Sequence, residues 1–550
     1  MASRTIRAGW IMVAFLIWLV GYPLLITLWE ATGLPGDFTL QHFVEFGRRA
    51  DEWRALWQSL WISMASMVLA AAIGVPMAFL FERTDFPGRQ ILGSLIALPV
   101  ALPPLVGVIA FLFLYGESGF VARGIQRLFG LASAPWRLSG PGAILLVHAY
   151  SMYVYFYLFT RAALARLDSS LLEAAASLGA GRWRTLRTVT LPVLAPALAG
   201  AALLTFMTSL ASFSAPYIFG GGFRVMTTQI VASKLNGEIA MAQVETVTLA
   251  ALAFVGLWAM RRVDSGSTAV VGGVRGLAPV RRQLRRPLAR WGVATLGWVL
   301  ALVLLLPHFT LLLISFVPPG TWTVEIVPPV LDGSNYVTLL SSPERLRPVL
   351  NSLWMAAVAT VGAIALGLAT ARLSIRGGGR LGRVLETLIS VPWALPGTVF
   401  AIALATTFAV NLPLAGRMVL IGTPWLLPLA YLVRSLPLTG RSSLAGLRQF
   451  DSSLEEAAAS LGAGWWRRLR RILLPLLRPA VMAGASLAFI TALGDFVTSI
   501  VLYTFDTRPI SIEILSSLRL QETGVAAVYG VLLMLVSGTA FVIWGRDQRI

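Results

Sequence analysis

The 550-residue chain contains no cysteine, a single lysine and three histidines, and only 13% of its residues are charged. The missing cysteines exclude disulfides, thiolate zinc sites and iron–sulfur clusters. A Walker A loop needs Gly-Lys, because the lysine reaches the nucleotide phosphates. The one lysine, Lys234, follows Ser233, so the chain carries no such ATPase loop. His42, His148 and His308 are followed by Phe43, Ala149 and Phe309, which removes the H-E-x-x-H metalloprotease motif. Gly-Ala-Gly at 179–181 and 462–464 is not a dinucleotide fingerprint. The sixth position is Arg184 or Arg467, and no strand is predicted before it. Low charge also excludes an ordinary soluble enzyme and a disordered chain. Soluble domains average roughly 45–50% apolar and about 25% charged residues. Here 57% are apolar, and the mean hydropathy is +0.77.

What is present is apolar sequence spread along the whole chain. A membrane span needs about 20 mostly apolar residues. Twelve candidates are predicted, near 9–29, 56–81, 92–116, 141–160, 191–219 and 241–260, then 291–316, 350–372, 384–410, 417–437, 474–503 and 523–545. The first has too long an apolar run for a signal peptide and reads as a retained span. The net charge of +19 follows the positive-inside rule rather than nucleic-acid binding. Residues 261–290 hold eight Arg against one Asp. The loop 438–473 is also basic, whereas 30–55, 317–347 and 504–522 are mixed or acidic. Both termini are therefore expected inside. The expected organisation is a first six-helix unit at 1–262, a basic cytoplasmic linker at 263–290 and a second unit at 291–550.

An internal repeat supports this division. Residues 168–192 read DSSLLEAAASLGAGRWRTLRTVTLP and residues 451–475 read DSSLEEAAASLGAGWWRRLRRILLP. Nineteen of these 25 positions agree, at an offset of 283. QSLW at 58–61 echoes NSLW at 351–354, and LPVALPP at 98–104 echoes VPWALPG at 391–397, both at an offset of 293. Because each unit has an even number of spans, the two run parallel. A pseudo-two-fold axis along the membrane normal follows. Ser170 with Glu173, and Ser453 with Glu456, fit capping boxes at a helix start. Gly179 and Gly462 suit the C-terminal caps, and Pro192 and Pro475 are expected to open the next spans. The fold expected is thus an all-α polytopic membrane protein of about twelve transmembrane helices. Each half carries a short, alanine-rich helix on its cytoplasmic surface.

Asp495 lies within a span, and an ionisable residue there is a functional candidate. The 283 offset places it opposite Ser212. Ser212, Ser214, Tyr217, Asp495, Thr498 and Ser499 are the candidate lining of a path between the halves. The alternative is that Asp495 pairs with a buried helix end or an arginine. Glu245 is a weaker candidate. Tyr150, Tyr153, Tyr155 and Tyr157 read as a packing set, and the prolines at 99–104 and 392–396 as breaks in helices. No metal-ligating cluster is expected.

The repeated segment resembles the EAA motif of permease subunits of binding-protein-dependent ABC importers. Its pattern is EAA, three residues, Gly, nine residues, Ile, one residue, Leu-Pro. Glu456, Ala457, Ala458, Gly462, Ile472, Leu474 and Pro475 match in full. Glu173, Ala174, Ala175, Gly179, Leu191 and Pro192 match with Val189 in place of Ile. The resemblance covers the chain as two fused permease domains. It implies that these helices couple to a cytoplasmic ATPase dimer, with Glu173 and Glu456 at the contact. It also implies a periplasmic or lipid-anchored solute-binding protein as the second partner. The chain would be a multi-pass protein of the bacterial inner membrane, in contact with lipid and not with nucleic acid. It would bear no cofactor, ATP and Mg being held by the ATPase. Fused permeases of this kind resemble ferric-iron and thiamine importers, and SFSAPYIFGGGFRVMTTQI at 212–230 looks closer to the iron type. Thiamine, polyamine and phosphonate remain open, as does a gradient-driven secondary transporter.

Overall fold

Lipid offers the backbone no hydrogen bonds, so apolar runs of this length close their own as helices. The computed structural model describes residues 2–34, 36–96, 99, 103–265, 282–283, 286–322, 325–409, 415 and 419–545. The first half runs α1 (Ala2–Leu16), α2 (Tyr22–Ala31), α3 (Gln41–Arg48), α4 (Ala50–Arg83), α5 (Arg89–Leu95), α6 (Pro104–Tyr115) and α7 (Phe120–Leu128). It continues with α8 (Gly140–Ala165), α9 (Ser169–Ser177), α10 (Arg182–Thr185), α11 (Leu191–Leu210), α12 (Ser214–Phe219), α13 (Met226–Leu235) and α14 (Ile239–Ser265). The second half follows a similar order with two helices fewer. It comprises α15 (Pro287–Ile314), α16 (Ser334–Ser341), α17 (Pro343–Gly377), α18 (Gly379–Ala394), α19 (Gly397–Ala409) and α20 (Leu426–Gln449). After these come α21 (Ser452–Ser460), α22 (Trp465–Arg468), α23 (Leu474–Leu493), α24 (Val497–Leu502), α25 (Ile510–Arg519) and α26 (Thr523–Gly545). A two-residue parallel bridge, β1 (Thr84–Asp85) with β2 (Arg282–Gln283), ties the end of α4 to the approach to α15.

Among the described residues, ten helices are long and apolar enough to span a membrane. α18 and α19, bent by 104° at their break, make an eleventh when counted as one span, against the twelve expected from sequence. The span expected at 417–437 falls on α20, which starts later and is not among these candidates. Arg434, Arg441 and Arg448 lower its apolar character, yet it packs on α17 as α8 packs on α4. Of the expected linker, 266–281 and 284–285 lie outside the described residues.

A stripe of small residues on the long helices builds the core of each half. Ser59, Ser63, Ser66, Ala70, Gly74 and Ala78 of α4 are buried. So are Ser352, Ala356, Ala359, Ala363, Gly367 and Ala371 at the matching positions of α17. The three- and four-residue spacing puts each set on one helix face, where small side chains let backbones approach. A Cβ on Gly74 would sit 2.3 Å from the Tyr153 carbonyl oxygen, and one on Gly367 would sit 2.7 Å from Thr439 Oγ1. Both crossings therefore require glycine. The halves also interlock. α1 packs on α17 and α18, α2 on α19, and α15 on α5 and α6.

Candidate functional site

The duplicated segment forms α9 and α21, nine-residue helices with alike ends. Their N-caps are Asp168 and Asp451, not the expected Ser170 and Ser453. Asp168 Oδ1 accepts the Ser170 amide at 2.9 Å, and Asp451 Oδ1 accepts the Ser453 amide at 3.0 Å. An aspartate two residues before the serine reaches the first free amide, so no capping box forms. Glu173 and Glu456 are left exposed instead. The C-termini are Schellman motifs with Gly179 (φ 74°) and Gly462 (φ 79°) in the left-handed region. The amides of Ala180 and Ala463 reach back to the carbonyls of Ala175 and Ala458, each at 2.9 Å, which satisfies carbonyls a helix end leaves open. Ala174 and Ala457 are exposed, Ala175 is buried and Ala458 half-buried.

Past each surface helix the chain does not start a new helix at Pro192 or Pro475, as expected from sequence. α10 and α11, and likewise α22 and α23, are joined by π-helical turns at Leu186–Thr190 and Leu469–Leu473. The wide turn accommodates the missing proline N–H and the bulk of the ring. Apolar side chains crowd this face. Leu178 is 87% and Leu461 is 88% exposed, and Trp183, Trp465 and Trp466 are also exposed.

The two surface helices differ at one residue that sequence reading passed over. Glu455 of α21 accepts from Arg372 Nη2 at 2.5 Å and from Arg376 Nη2 at 2.7 Å, with Arg468 Nη1 at 3.9 Å. Leu172 stands at the matching position of α9. The positions matching Arg372 and Arg468 are Phe79 and Thr185. The mismatch within the repeat was the available signal.

The path candidates gather where α11 and α23 end. Asp495 is buried and ion-paired with Arg434 of α20. Its Oδ1 accepts the Thr498 amide at 2.7 Å, and its Oδ2 the Thr498 hydroxyl at 3.1 Å. Asp495 thus meets both an arginine and a helix start, as in the alternative reading from sequence. Ser499 receives or gives a hydrogen bond to Tyr431 Oη at 2.6 Å. In the first half, Ser212 meets His148 Nε2 at 2.9 Å, and His148 Nδ1 lies 2.8 Å from Ser66 and 3.2 Å from Ser209. His148 and Tyr431 are related by the 283 offset, as are Ser151 and Arg434. That offset, applied to α8, would have found both. Ser214 is buried at the start of α12.

Between these clusters the halves meet in aromatic contact. Phe213 and Phe496 are related by the same offset, and their rings lie 5.5 Å apart. Tyr217 stacks on Phe213 at 5.0 Å and lies 6.0 Å from Phe496. Both phenylalanines are almost wholly buried, so the centre of the molecule is closed here. The conserved geometry of the two echoes also becomes clear. Ser59 Oγ accepts the Met226 amide and Ser352 Oγ the Ile510 amide, each at 2.8 Å. These bonds seat the first residues of α13 and α25. The tyrosines behave as a packing set: Tyr153 donates to the Ile96 carbonyl at 2.6 Å and Tyr150 to the Leu304 carbonyl at 2.6 Å. Glu245 is fully buried, accepts from Ser233 Oγ at 2.6 Å and touches Glu52. Among the described residues no group of three or more metal-ligating side chains occurs.

Comparison with known proteins agrees with this architecture. The model of the family described as "Binding-protein-dependent transport system inner membrane component" matches residues 70–268 and 363–546. The probable ABC transporter permease protein y4fN of Sinorhizobium fredii is 30% identical over 96% of this chain and 93% of its own length. The ferric transport system permease protein FbpB of Actinobacillus pleuropneumoniae is 28% identical over 88% of this chain and 69% of its own. The molybdenum transport system permease protein ModB of Escherichia coli is 37% identical over 30% of this chain and 72% of its own. The chain belongs to the binding-protein-dependent inner-membrane transport components, as an ABC importer permease with two permease units fused in tandem.

Proposed function

We propose that this permease forms the path of a ferric-iron importer, driven by a separate ATPase dimer bound to α9 and α21. A solute-binding protein delivers cargo to the opposite face. The observation that carries the coupling is the pair of matching surface helices, each with an exposed glutamate and an adjacent, almost fully exposed leucine. Two equal sockets of an ATPase dimer call for two such knobs, whereas a gradient-driven carrier has no use for them. ATP closure of the dimer draws α9 and α21 together. α11 and α23 are the levers, since each leads from a surface helix to the aromatic closure. Their motion parts Phe213 from Phe496, and hydrolysis resets the contact. ATP and Mg act in the partner, and both termini lie on its side of the bacterial inner membrane. Ferric iron is favoured by relatives that cover most of the chain and are named for it. Relatives named for molybdenum and thiamine transport match shorter stretches and support a second reading, with one of those solutes as cargo.

Two measurements test this. Cells lacking the chain should lose uptake of labelled ferric iron and regain it on restoration. Unchanged iron uptake removes iron as cargo. Charge reversal at both glutamates (Glu173→Arg with Glu456→Arg) should abolish ATPase association or coupling while membrane insertion persists. Full transport by that variant sinks the docking assignment.

A further inference from the structure

The chain's only lysine lies at the meeting of the two halves. Lys234 lies in the last turn of α13, and its Nζ donates across the interface to the Val501 carbonyl of α24 at 2.8 Å. Arg519 ends α25 and makes the reciprocal reach. Its Nη2 donates to Tyr217 Oη of α12 at 2.5 Å. The two are not at the same repeat position. Met226 and Ile510 set the local offset at 284, which pairs Lys234 with Leu518 and Leu235 with Arg519. Each half nevertheless carries, in the last turn of its short helix, one cation directed at the other half.

Their depth follows from the helices. Ile510 is fixed by Ser352, nine residues into α17 from Pro343. At 1.5 Å per residue that is roughly 14 Å below the end of α17 remote from α21. The backbone break at Asp495 lies at the same level, because Ser511 Oγ donates to its carbonyl at 2.8 Å. α25 then climbs ten residues, roughly 14 Å, to Arg519. Lys234 and Arg519 thus stand above the Phe213–Phe496 closure, on the face remote from the coupling helices.

The charge balance of this place is positive. Asp495, the acid at the closure, is neutralised by Arg434. Lys234 and Arg519 donate to a carbonyl and a phenol hydroxyl, both uncharged, and neither pairs with a carboxylate among the described residues. Of the neighbouring acids, Glu238 pairs with Arg49, Glu522 with Arg345 and Glu513 with Arg508, while the buried Glu245 and Glu52 accept from Ser233 and Gln229 of α13 and reach neither cation. Cations lining a constriction select anions, because they replace the water an anion gives up there. They also raise the local anion concentration.

We infer that Lys234 and Arg519 form an anion-selective latch above the closure, so that cargo crosses as a net anion. It is either an oxyanion or a metal ion wrapped in enough anionic ligands to be negative overall. Arriving negative charge competes with the Val501 carbonyl and the Tyr217 hydroxyl for the two cations. Their release frees α24 and α12 from the opposite half. The inference deepens the importer reading above and rests on it.

The test uses the full chain in liposomes with its ATPase and its solute-binding protein, and three probes: ferric citrate, molybdate and thiamine. Wild type is expected to take up an anionic probe and to leave the thiamine cation behind. Lys234→Gln and Arg519→Gln should each lower that uptake at least tenfold while ATP hydrolysis persists. The charge-keeping Lys234→Arg with Arg519→Lys should restore at least half. Thiamine uptake by wild type overturns the inference and leaves the importer reading intact, as does wild-type uptake by the glutamine variants. A second measurement needs no partner. In the purified chain, acetylation of Lys234, read by peptide mass, should be slowed saturably by molybdate or citrate and not by thiamine. Absence of protection by either anion overturns the inference. If no probe is transported, the cargo assignment fails, and protection alone decides for the latch.

Discussion

The most exposed energetic commitment among single residues is the Arg434–Asp495 pair. Asp495 is buried and its carboxylate takes a guanidinium, a hydroxyl and a backbone amide. Removing one partner of a buried pair costs about 3–5 kcal/mol, because the remaining charge is left uncompensated. Arg434→Leu should therefore lower the unfolding temperature of the purified chain markedly. Arg434→Leu with Asp495→Leu should recover most of the loss, since neither charge then remains. A single variant as stable as wild type would show that solvent reaches the carboxylate. A place within a span marks Asp495 in the sequence as a residue to explain. The sequence leaves its partner open, because Arg434 sits 61 residues away on a helix whose own span signal is weak. His148 is hidden for a similar reason: its three serine contacts come from two other helices and a break.

At the scale of an element, α9 and α21 have one sequence pattern and two different anchorages. The repeat makes both helices and their glycine caps legible. It misleads about the N-cap, because the serine-to-glutamate spacing is satisfied while Asp168 and Asp451 stand closer to the first amides. Burial of Glu455 among arginines ties α21 to the end of α17, whereas Leu172 gives α9 no such tie. Glu455→Leu should thus raise the mobility of a nitroxide on α21 to that of one on α9, and should lower transport per ATP hydrolysed. Glu455→Asp should keep part of the coupling. Equal mobility of the two helices in wild type would remove the asymmetry. The cap of α21 adds a pH dependence. The Ser453 amide and hydroxyl hold the Asp451 carboxyl below the usual range. A group with a lowered folded pKa stabilises above its unfolded value, and that contribution fades as pH falls through the folded one. The start of α21 should fray in acid in the wild type. In Asp451→Asn, which caps without titrating, it should stay ordered. Parallel fraying of the two proteins, read from the same label, would assign the acid effect elsewhere.

Across the whole molecule, two units in tandem follow from the repeat, and the family match at 70–268 and 363–546 agrees with that division. What the sequence does not convey is that the units exchange their first helices. No local pattern in 9–29 or 291–316 says which half those spans pack against, since an apolar helix face suits any apolar neighbour. The structure places α1 on α17 and α18, and α15 on α5 and α6. Tyr150 adds a polar pin by donating to the Leu304 carbonyl of α15 at 2.6 Å. Each half therefore lacks part of its own cover when alone, and presents buried positions to lipid, such as Phe86 and Leu92 of the first half and Ala294, Ala301 and Leu385 of the second. Residues 1–262 expressed without 291–550 should consequently be degraded or aggregate. The two pieces expressed together from separate messages should assemble, co-purify and restore transport, because the contacts that join them do not depend on the linker. The linker's role would then be to fix stoichiometry at one of each half. A stable, monodisperse first piece on its own would contradict the exchange. Failure of the paired pieces to assemble would show that the linker, or the short bridge of Thr84–Asp85 with Arg282–Gln283, is needed to bring α15 to its place.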